Sequence, residues 1–419
     1  MATTVIRTVL FGDEADPSVG DLLIRDGRIV ARGVDLAVIA ELDEDLEEQV
    51  EEVEEFDGTG LVALPGAIDT YAQLANPKSN LAPADDLSSG TIAAARGGVT
   101  TIVAPVVPAA NETLDVAFRD ACNRAAGQVF VDWGFLVGIG QPTADSSARL
   151  QTIAGEAGFL GAVLDLDAID HAATAGPGAL LRIAALAGLP ITVHAAGRRG
   201  AAAEQSRVQI LGQLGALADI APHIAPVSTV GAVAELGLAT ASTSLAHLCL
   251  AELPDPLRVA PPLGTDEDRA VLWSALADGT LEGVISDHRS EPMSGFDGWV
   301  GLASIELMLP ALLSFGVATG AIDLPTLCAI TAERPARRLG IWPQKGSLQV
   351  GADGDVVLVD PAAVWTVDPK GLEGRGKAPA WHDPELTGRV VHVFSRGQQI
   401  VNDGFPLFRP GRGRPVSRA

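Results

Sequence analysis

The apolar run LVALPGAI at residues 61–68 opens the part of the chain that decides the fold. Before this run, the hairpin signal Asp26-Gly27 predicts paired β segments, and the stretch Glu41–Glu55 predicts a solvated acidic loop or helix face. From residue 61 to about residue 340, apolar runs alternate with Ala-rich helical stretches. The further candidate strands are Thr100–Val106, Val131–Ile139, Gly161–Leu166, Ile191–His194, Ala221–Val227, Ala239–Ser244 and Gly283–Ser286.

Continuous apolar strands separated by helices are typical of a buried parallel sheet, so the fold class is α/β. Eight such units predict a (β/α)8 TIM barrel, with functional groups at the C-terminal ends of its strands. After Lys345 the sequence again shows short segments typical of β-strands. We therefore expect the N- and C-terminal segments to form a small β-sandwich beside the barrel. The predicted domains are residues 1–60 and 341–408 for the sandwich, 61–340 for the barrel, and 409–419 for a flexible tail.

The composition excludes several classes of protein. The formal net charge is −24, which argues against a nucleic-acid partner because such a partner requires a basic face. The 419 residues include three widely spaced cysteines, which indicate no disulfide framework. The chain has no leader-like start and no apolar run long enough to span a membrane, so we expect a cytoplasmic protein with no membrane partner.

Short motifs spread in order along nearly the whole chain carry a resemblance to a known family. They resemble the dihydroorotase, allantoinase and hydantoinase branch of the amidohydrolase superfamily. The motifs are LPGAID at residues 64–69, GGVTT at 97–101, DWGF at 132–135, SDH at 286–288 and GADGD at 351–355.

This resemblance implies a set of metal ligands. The family uses a His-x-His pair on the first strand, a carboxylated Lys on the fourth, one His each on the fifth and sixth, and an Asp on the eighth. No shift of register supplies the missing groups, because the first histidine is His171 and no lysine lies between Lys78 and Lys345. The corresponding residues here are Tyr71, Gln73, Val163 and Pro226, so we expect these ligands to be lost.

Two ligand positions keep their residue types, His194 and Asp287. Two protein ligands are too few for an ordinary catalytic zinc site, which needs three and a water. Asp165 lies two residues beyond the lysine position on the same strand face, and it is a possible third ligand of a rebuilt mononuclear site. His223 is three residues from Pro226, and this odd offset predicts a side chain that faces away from the barrel centre.

The substrate side of the site differs as well. Dihydroorotases hold a carboxylate with an Arg after the His pair and an Asn after the second strand. The resemblance places Ala75 and Val106 at these positions, and neither side chain can pair with a carboxylate. We expect Tyr71 and Gln73 to fill the vacated pocket, and we expect His247 to serve packing rather than chemistry.

Two main functions follow from these residues. The first is a non-catalytic, dihydroorotase-like pseudoenzyme of pyrimidine metabolism that binds no metal. It would act as an assembly or regulatory subunit, either as a homo-oligomer or with an enzyme such as aspartate transcarbamoylase. The alternative is an active hydrolase of C–N bonds in cyclic amides, with Asp287 as general base and His194 polarising the carbonyl. It would use either one divalent metal ion, with zinc as the first choice, or no metal. A third function, that of a small-molecule sensor, stays open.

Overall fold

A computed structural model describes most of the chain. The described residues are 2–34, 36, 52–74, 85–109, 111–139, 145–165, 189–194, 200–255, 257–290, 302–376, 379–381, 384–407 and 411–418. Ala75 and most of the acidic stretch Glu41–Glu55 lie outside them.

The strands are numbered in chain order. They are β1 (Ala2–Phe11), β2 (Val19–Arg25), β3 (Arg28–Gly33), β4 (Glu52–Asp57), β5 (Val62–Pro65), β6 (Ala67–Asp69), β7 (Val99–Val106), β8 (Asp132–Gly138), β9 (Phe159–Asp165), β10 (Ile191–His194), β11 (His223–Ile224), β12 (Thr240–Ser244), β13 (Gly283–Ile285), β14 (Val356–Thr366), β15 (Glu385–Ser395), β16 (Gln398–Asn402) and β17 (Phe405–Pro406).

The described α-helices lie mostly between the strands β6 to β13 or directly after them. They are α1 (Leu87–Arg96), α2 (Leu114–Ala125), α3 (Ser146–Ile153), α4 (Ala201–Ala218), α5 (Val230–Ala234), α6 (Leu245–Cys249), α7 (Asp266–Asp278), α8 (Met308–Leu312), α9 (Leu324–Cys328) and α10 (Arg334–Leu339). No helix in these described ranges combines the length and the apolar character needed to cross a bilayer.

Strands β6 to β13 form an eight-stranded parallel sheet in sequential order, which confirms the predicted TIM barrel. The predicted first strand, 61–68, is divided between two sheets. Val62–Pro65 pairs with β1 and β14, whereas Ala67–Asp69 pairs with β7. Gly66 sits at the crossing point, where a Cβ atom would lie 2.1 Å from the Thr100 hydroxyl oxygen. Only glycine fits this close approach.

The terminal segments form a separate β-sheet domain, as the sequence predicted. Its nine strands make one continuous hydrogen-bonded sheet rather than two separate layers. The hairpin between β2 and β3 turns at Asp26 and Gly27, whose φ angles of 51° and 81° match the turn that such hairpins favour. The sheet has a hydrophobic core of its own that includes Ile6, Leu22 and Phe394.

Two apolar layers position the barrel strands. Side chains such as Ile102 and Ile224 pack between the sheet and the surrounding helices. Side chains on the other strand face, including Val103, Val163 and Ile285, form a cluster inside the barrel. This alternation is what parallel barrel strands require, and it directs every second side chain toward the barrel axis.

The C-terminal residues correct one sequence prediction. We expected a flexible tail from residue 409, yet residues 411–418 lie along the barrel beside β8. The Trp133 backbone N–H donates to the Arg414 carbonyl oxygen at 3.0 Å, and the Val416 N–H donates to the Trp133 carbonyl oxygen at 2.9 Å. Terminal residues are often poorly ordered unless they are tied down, and these backbone hydrogen bonds tie this segment to β8.

Candidate active site at the barrel mouth

The C-terminal ends of β6 and β13 meet at Asp69. Its buried carboxylate accepts the Ser286 backbone N–H at 3.1 Å, the Ser286 hydroxyl, and the Tyr71 N–H at 3.2 Å. The pKa of Asp69 is raised because burial outweighs these hydrogen bonds. The Gln73 N–H completes the junction by donating to the His288 carbonyl oxygen at 2.8 Å. The junction holds Tyr71, Gln73 and Asp287 in one neighbourhood.

Tyr71 points into the barrel. Its side chain is 6% exposed, and its ring stacks on the His194 ring with centroids 5.4 Å apart and planes inclined by 24°. Tyr71 also belongs to the interior apolar cluster that contains Val163, the residue that the resemblance places at the lysine position. His194 is half-buried, and its Nε2 atom has no hydrogen-bond partner in the described part of the chain.

Gln73 contacts the other retained residue type. Its Nε2 atom donates to the Asp287 Oδ1 atom at 3.3 Å. Each of the two side chains meets one of the two retained groups, His194 and Asp287.

Asp287 follows β13 in a left-handed backbone conformation, with φ of 46°. Burial raises its pKa, and the neighbouring His194 and the hydrogen bond from Gln73 only partly offset this effect. A non-glycine residue in this conformation is uncommon, and such residues concentrate at functional sites. Its raised pKa and its place at a strand end make Asp287 the best candidate for a proton-transferring group here.

We predict that Asp287→Asn raises the free energy of unfolding by about 1 kcal/mol at pH 8, since the folded site disfavours a charge there. A carboxyl whose pKa is raised on folding loses stability as the pH rises through that value, and Asn removes this dependence. Urea denaturation at pH 5 and pH 8 measures both effects. A lower stability of the variant at pH 8 would contradict the prediction.

The described residues can be compared with the metal ligands that the resemblance implies. Within those ranges, no group of three His, Cys, Asp or Glu side chains is placed to hold one ion. The β9–β10 register pairs His194 with Asp165, but the Asp165 side chain lies outside the described part of the structure. Val163 and Pro226 contribute no metal-binding side-chain atom at their positions.

One of the two expected substrate-binding positions lies within the described residues. Val106 ends β7 with a side chain that is 8% exposed, and it presents only methyl groups. Ala75 lies outside the described residues. The described position therefore has nothing that could pair with a substrate carboxylate.

A second carboxylate beside the site was missed by sequence reasoning. Asp85 is fully buried, and it accepts the Arg375 backbone N–H at 2.7 Å, with its Oδ2 atom 3.4 Å from the His288 Nε2 atom. Burial opposes its ionisation, but His288 and the Arg375 N–H hold its pKa well below the usual range. The only sequence signal was the Asp85-Asp86 pair. Asp86 caps α1 by accepting the Ser89 N–H at 2.8 Å.

His223 corrects another prediction, because its side chain faces the barrel interior. Its Nε2 atom lies 3.0 Å from the Ser242 hydroxyl oxygen. The next residue, Ile224, packs toward the helices, and Ala225 joins the interior cluster. The two-residue strand β11 ends before Pro226, so strand alternation does not extend from Pro226 back to His223. His223 lies at the start of its strand, away from the mouth.

His247 has a packing role in the structure. Its Nδ1 atom lies 2.7 Å from the Ser244 hydroxyl oxygen, and its Nε2 atom lies 2.9 Å from the Pro261 carbonyl oxygen. The carbonyl can only accept, so Nε2 carries the proton of a neutral ring. Burial lowers the pKa of His247 to about 4.

Comparison with known proteins adds the decisive observation. The family model described as "Amidohydrolase family" matches residues 62–400. This chain belongs to the amidohydrolase family. The match covers all of the barrel strands and much of the terminal sheet, in agreement with the fold.

Individual relatives within this family cover the chain almost end to end. A D-hydantoinase of Geobacillus stearothermophilus is 28% identical, with 100% of this chain and 97% of the relative covered. An allantoinase of Rubrobacter xylanophilus is 29% identical, with 92% and 95% covered. The crystal structure of a dihydropyrimidinase from Brevibacillus agri NCHU1002 superimposes with a TM-score of 0.89 at 26% identity, covering 100% of this chain and 99% of that one.

Proposed function

We propose that this chain is a non-catalytic member of the amidohydrolase family with a hydantoinase- and allantoinase-like fold, acting in assembly or regulation. The observation that supports the proposal is the pair of contacts at the barrel mouth. Gln73 donates to Asp287 at 3.3 Å, and Tyr71 stacks on His194. The two groups on which a rebuilt site depends are thus engaged by neighbouring side chains.

The physical argument concerns the cost of charge. An ion in the mouth would have to displace the Gln73 amide from Asp287, and it would lie beside the apolar Tyr71 and Val163 cluster. A buried charge without compensating ligands is costly. An amide and a phenol ring are neutral, so they fill the space without that cost.

The partner in this proposal is a second copy of the chain or another metabolic enzyme such as aspartate transcarbamoylase. A cytoplasmic location and the absence of a bound cofactor belong to the same proposal. Size-exclusion chromatography with light scattering, on the chain alone and mixed with that enzyme, distinguishes the two kinds of partner.

The second candidate is a hydrolase of C–N bonds in cyclic amides, and the comparisons favour it over the first. The relatives are named as a D-hydantoinase, an allantoinase and a dihydropyrimidinase, and they match over nearly the whole chain. In this reading Asp287 removes a proton from the attacking water, which its raised pKa suits, and His194 donates to the carbonyl oxygen of the substrate. A rebuilt site with one zinc ion and Asp165 as third ligand belongs to this candidate.

Metal content and turnover together separate the two candidates. The purified protein is incubated with excess zinc, desalted and analysed for metal, then assayed with hydantoin, allantoin and dihydrouracil. Less than about a tenth of an equivalent of metal, without turnover, supports the non-catalytic proposal. Turnover that Asp287→Asn abolishes overturns that proposal, with or without metal.

Matched variants make both readouts specific. His194→Ala and Asp287→Ala should abolish any stoichiometric metal, whereas His392→Ala on β15 should leave it unchanged, because His392 lies in the terminal sheet. The double variant Tyr71→His and Gln73→His restores two nitrogen donors beside His194 and Asp287. It should retain about one equivalent of zinc, since four donors suit a tetrahedral site.

A further inference from the structure

A cavity of about 870 Å³ lies between the terminal sheet and the C-terminal residues 411–414. Three arginines line it, Arg396, Arg412 and Arg414. It adjoins Asp132, the first residue of β8, so it lies near the N-terminal ends of the barrel strands. The candidate active site lies at the opposite ends of these strands, and the cavity is independent of the proposed function.

The charge of Arg396 is already matched. Its Nη1 atom pairs with Asp132, and its Nη2 atom donates to the Arg412 carbonyl oxygen at 2.8 Å. Lys345 beneath it is enclosed by three aspartates in the same way. Of these groups only Arg396 lines the cavity, and its charge does not require a ligand.

Arg412 is different. Its Nη2 atom donates to the Ser395 carbonyl oxygen at 2.8 Å and to the Gln398 side-chain oxygen at 3.3 Å. Its Nε and Nη1 atoms are buried and have no hydrogen-bond partner within the described ranges. Burial, and then repulsion from Arg396, lower the pKa of Arg412 to about 10. A guanidinium with unpaired buried N–H groups is costly, and an anion would relieve that cost.

Arg414 supplies a second cation on a fixed backbone. Its N–H donates to the Asp132 Oδ1 atom at 2.8 Å, and its carbonyl oxygen accepts from Trp133 at 3.0 Å. The side chain is exposed at the cavity wall, and it forms no ion pair with any residue that the structure describes. The backbone of Arg414 is therefore held in place, and its side-chain charge is available to a ligand.

The other wall of the cavity is acidic. Asp26 and Glu54 line it with exposed carboxylates. A bare anion would be repelled there, whereas a molecule with hydroxyl or amino groups at its far end could donate to both. The volume lies within the range of small-molecule sites.

We propose that this cavity binds a small organic anion whose phosphate or carboxylate oxygens contact Arg412 and Arg414, and whose hydroxyl or amino groups face Asp26 and Glu54. Arginine suits this task because its planar group can donate two parallel hydrogen bonds to one anion.

Isothermal titration calorimetry of the full chain with pyrophosphate and with malonate, at constant ionic strength, tests the proposal. We expect saturable binding of one of them, and this result also distinguishes phosphate from carboxylate recognition. Arg414→Gln should weaken binding about tenfold or more, since it removes a charged hydrogen-bond donor. Arg258→Gln, which alters an exposed arginine in another part of the chain, should leave binding unchanged.

Arg412 also holds the Ser395 carbonyl oxygen, so Arg412→Gln could lower stability by itself. The ligand-induced rise in melting temperature is therefore compared for the wild type, Arg414→Gln and Arg258→Gln. A rise in the wild type and the control but not in Arg414→Gln supports the site. No saturable binding of either anion, or equal binding by the wild type and Arg414→Gln, overturns the proposal.

Discussion

Replacing Lys345 by methionine should lower the free energy of unfolding by roughly 3–5 kcal/mol. The Lys345 ammonium is 3% exposed and lies 2.5 Å from Asp132, 2.9 Å from Asp353 and 2.7 Å from Asp355. Burial alone would lower its pKa, but the three carboxylates outweigh burial and raise it. The methionine variant would remove the cation that these three buried carboxylates share, and it would leave Asp132 paired with Arg396.

The cluster also joins the two domains, which adds to the expected loss. Asp132 starts the barrel strand β8, whereas Asp353 and Asp355 lead into β14 of the terminal sheet. Removing the cation should therefore weaken the contact between barrel and sheet as well as the local packing.

Urea denaturation of the wild type and Lys345→Met at pH 7.5 measures this effect. Lys370→Met is the matched control, because Lys370 is exposed, and its effect should stay within about 0.5 kcal/mol. Adding Asp355→Asn to the methionine variant should recover part of the loss by removing one unpaired charge. A loss below about 1 kcal/mol in the single variant would mean that the carboxylates take up protons at little cost.

Acidification should destabilise the protein through His247, by about 2–3 kcal/mol between pH 7.5 and pH 4.5. Burial lowers the pKa of His247 to about 4 in the folded chain, against about 6.5 for an unperturbed histidine. A depressed pKa means that the unfolded state binds the proton more tightly. The stabilising contribution is therefore complete above about pH 6.5 and is lost as the pH falls toward 4. His223, whose pKa burial also lowers, acts in the same direction.

Buried carboxyls whose pKa is raised act with the opposite sign, so the comparison must isolate His247. Burial raises the pKa of Asp287 and Glu204, and these groups add stability on acidification. We expect the difference in unfolding free energy between the wild type and His247→Gln to shrink by about 2–3 kcal/mol from pH 7.5 to pH 4.5. Ser244→Ala removes the hydrogen bond to the His247 ring without removing the ring itself. Its loss of unfolding free energy relative to the wild type should therefore be independent of pH. A constant deficit for His247→Gln would show that the folded protein accommodates the charged ring.

Much of the barrel was predictable from the sequence because each strand is marked by a local run of apolar residues. Ile191–His194 was predicted residue for residue, and Thr100–Val106 differs from β7 by one residue. An apolar run between helical stretches is a local property, and its burial follows from its composition. The run at 61–68 was harder, since the same apolar signal continues from one sheet into the next. Pattern alone does not show where a strand changes its partner.

Some features of the candidate site were likewise predictable from the sequence, and others were not. The residue types at the ends of the barrel strands could be read from the sequence once the motifs were aligned by resemblance. They are Tyr71 and Gln73 after the first strand, and His194 and Asp287 at later ones. The inward direction of His223 could not be read in this way, since β11 is two residues long and strand alternation stops before Pro226.

The sequence by itself determined which residues enter the barrel and which residue types stand at its mouth, because strand periodicity and chemistry are carried by neighbouring residues. Only the tertiary structure decided that Gln73 donates to Asp287, 214 residues away, that Asp85 holds the Arg375 backbone, 290 residues away, and that Arg414 lies beside Asp132. Such contacts depend on how strand ends and loops pack in three dimensions. No local pattern encodes the distance between two side chains that belong to different elements.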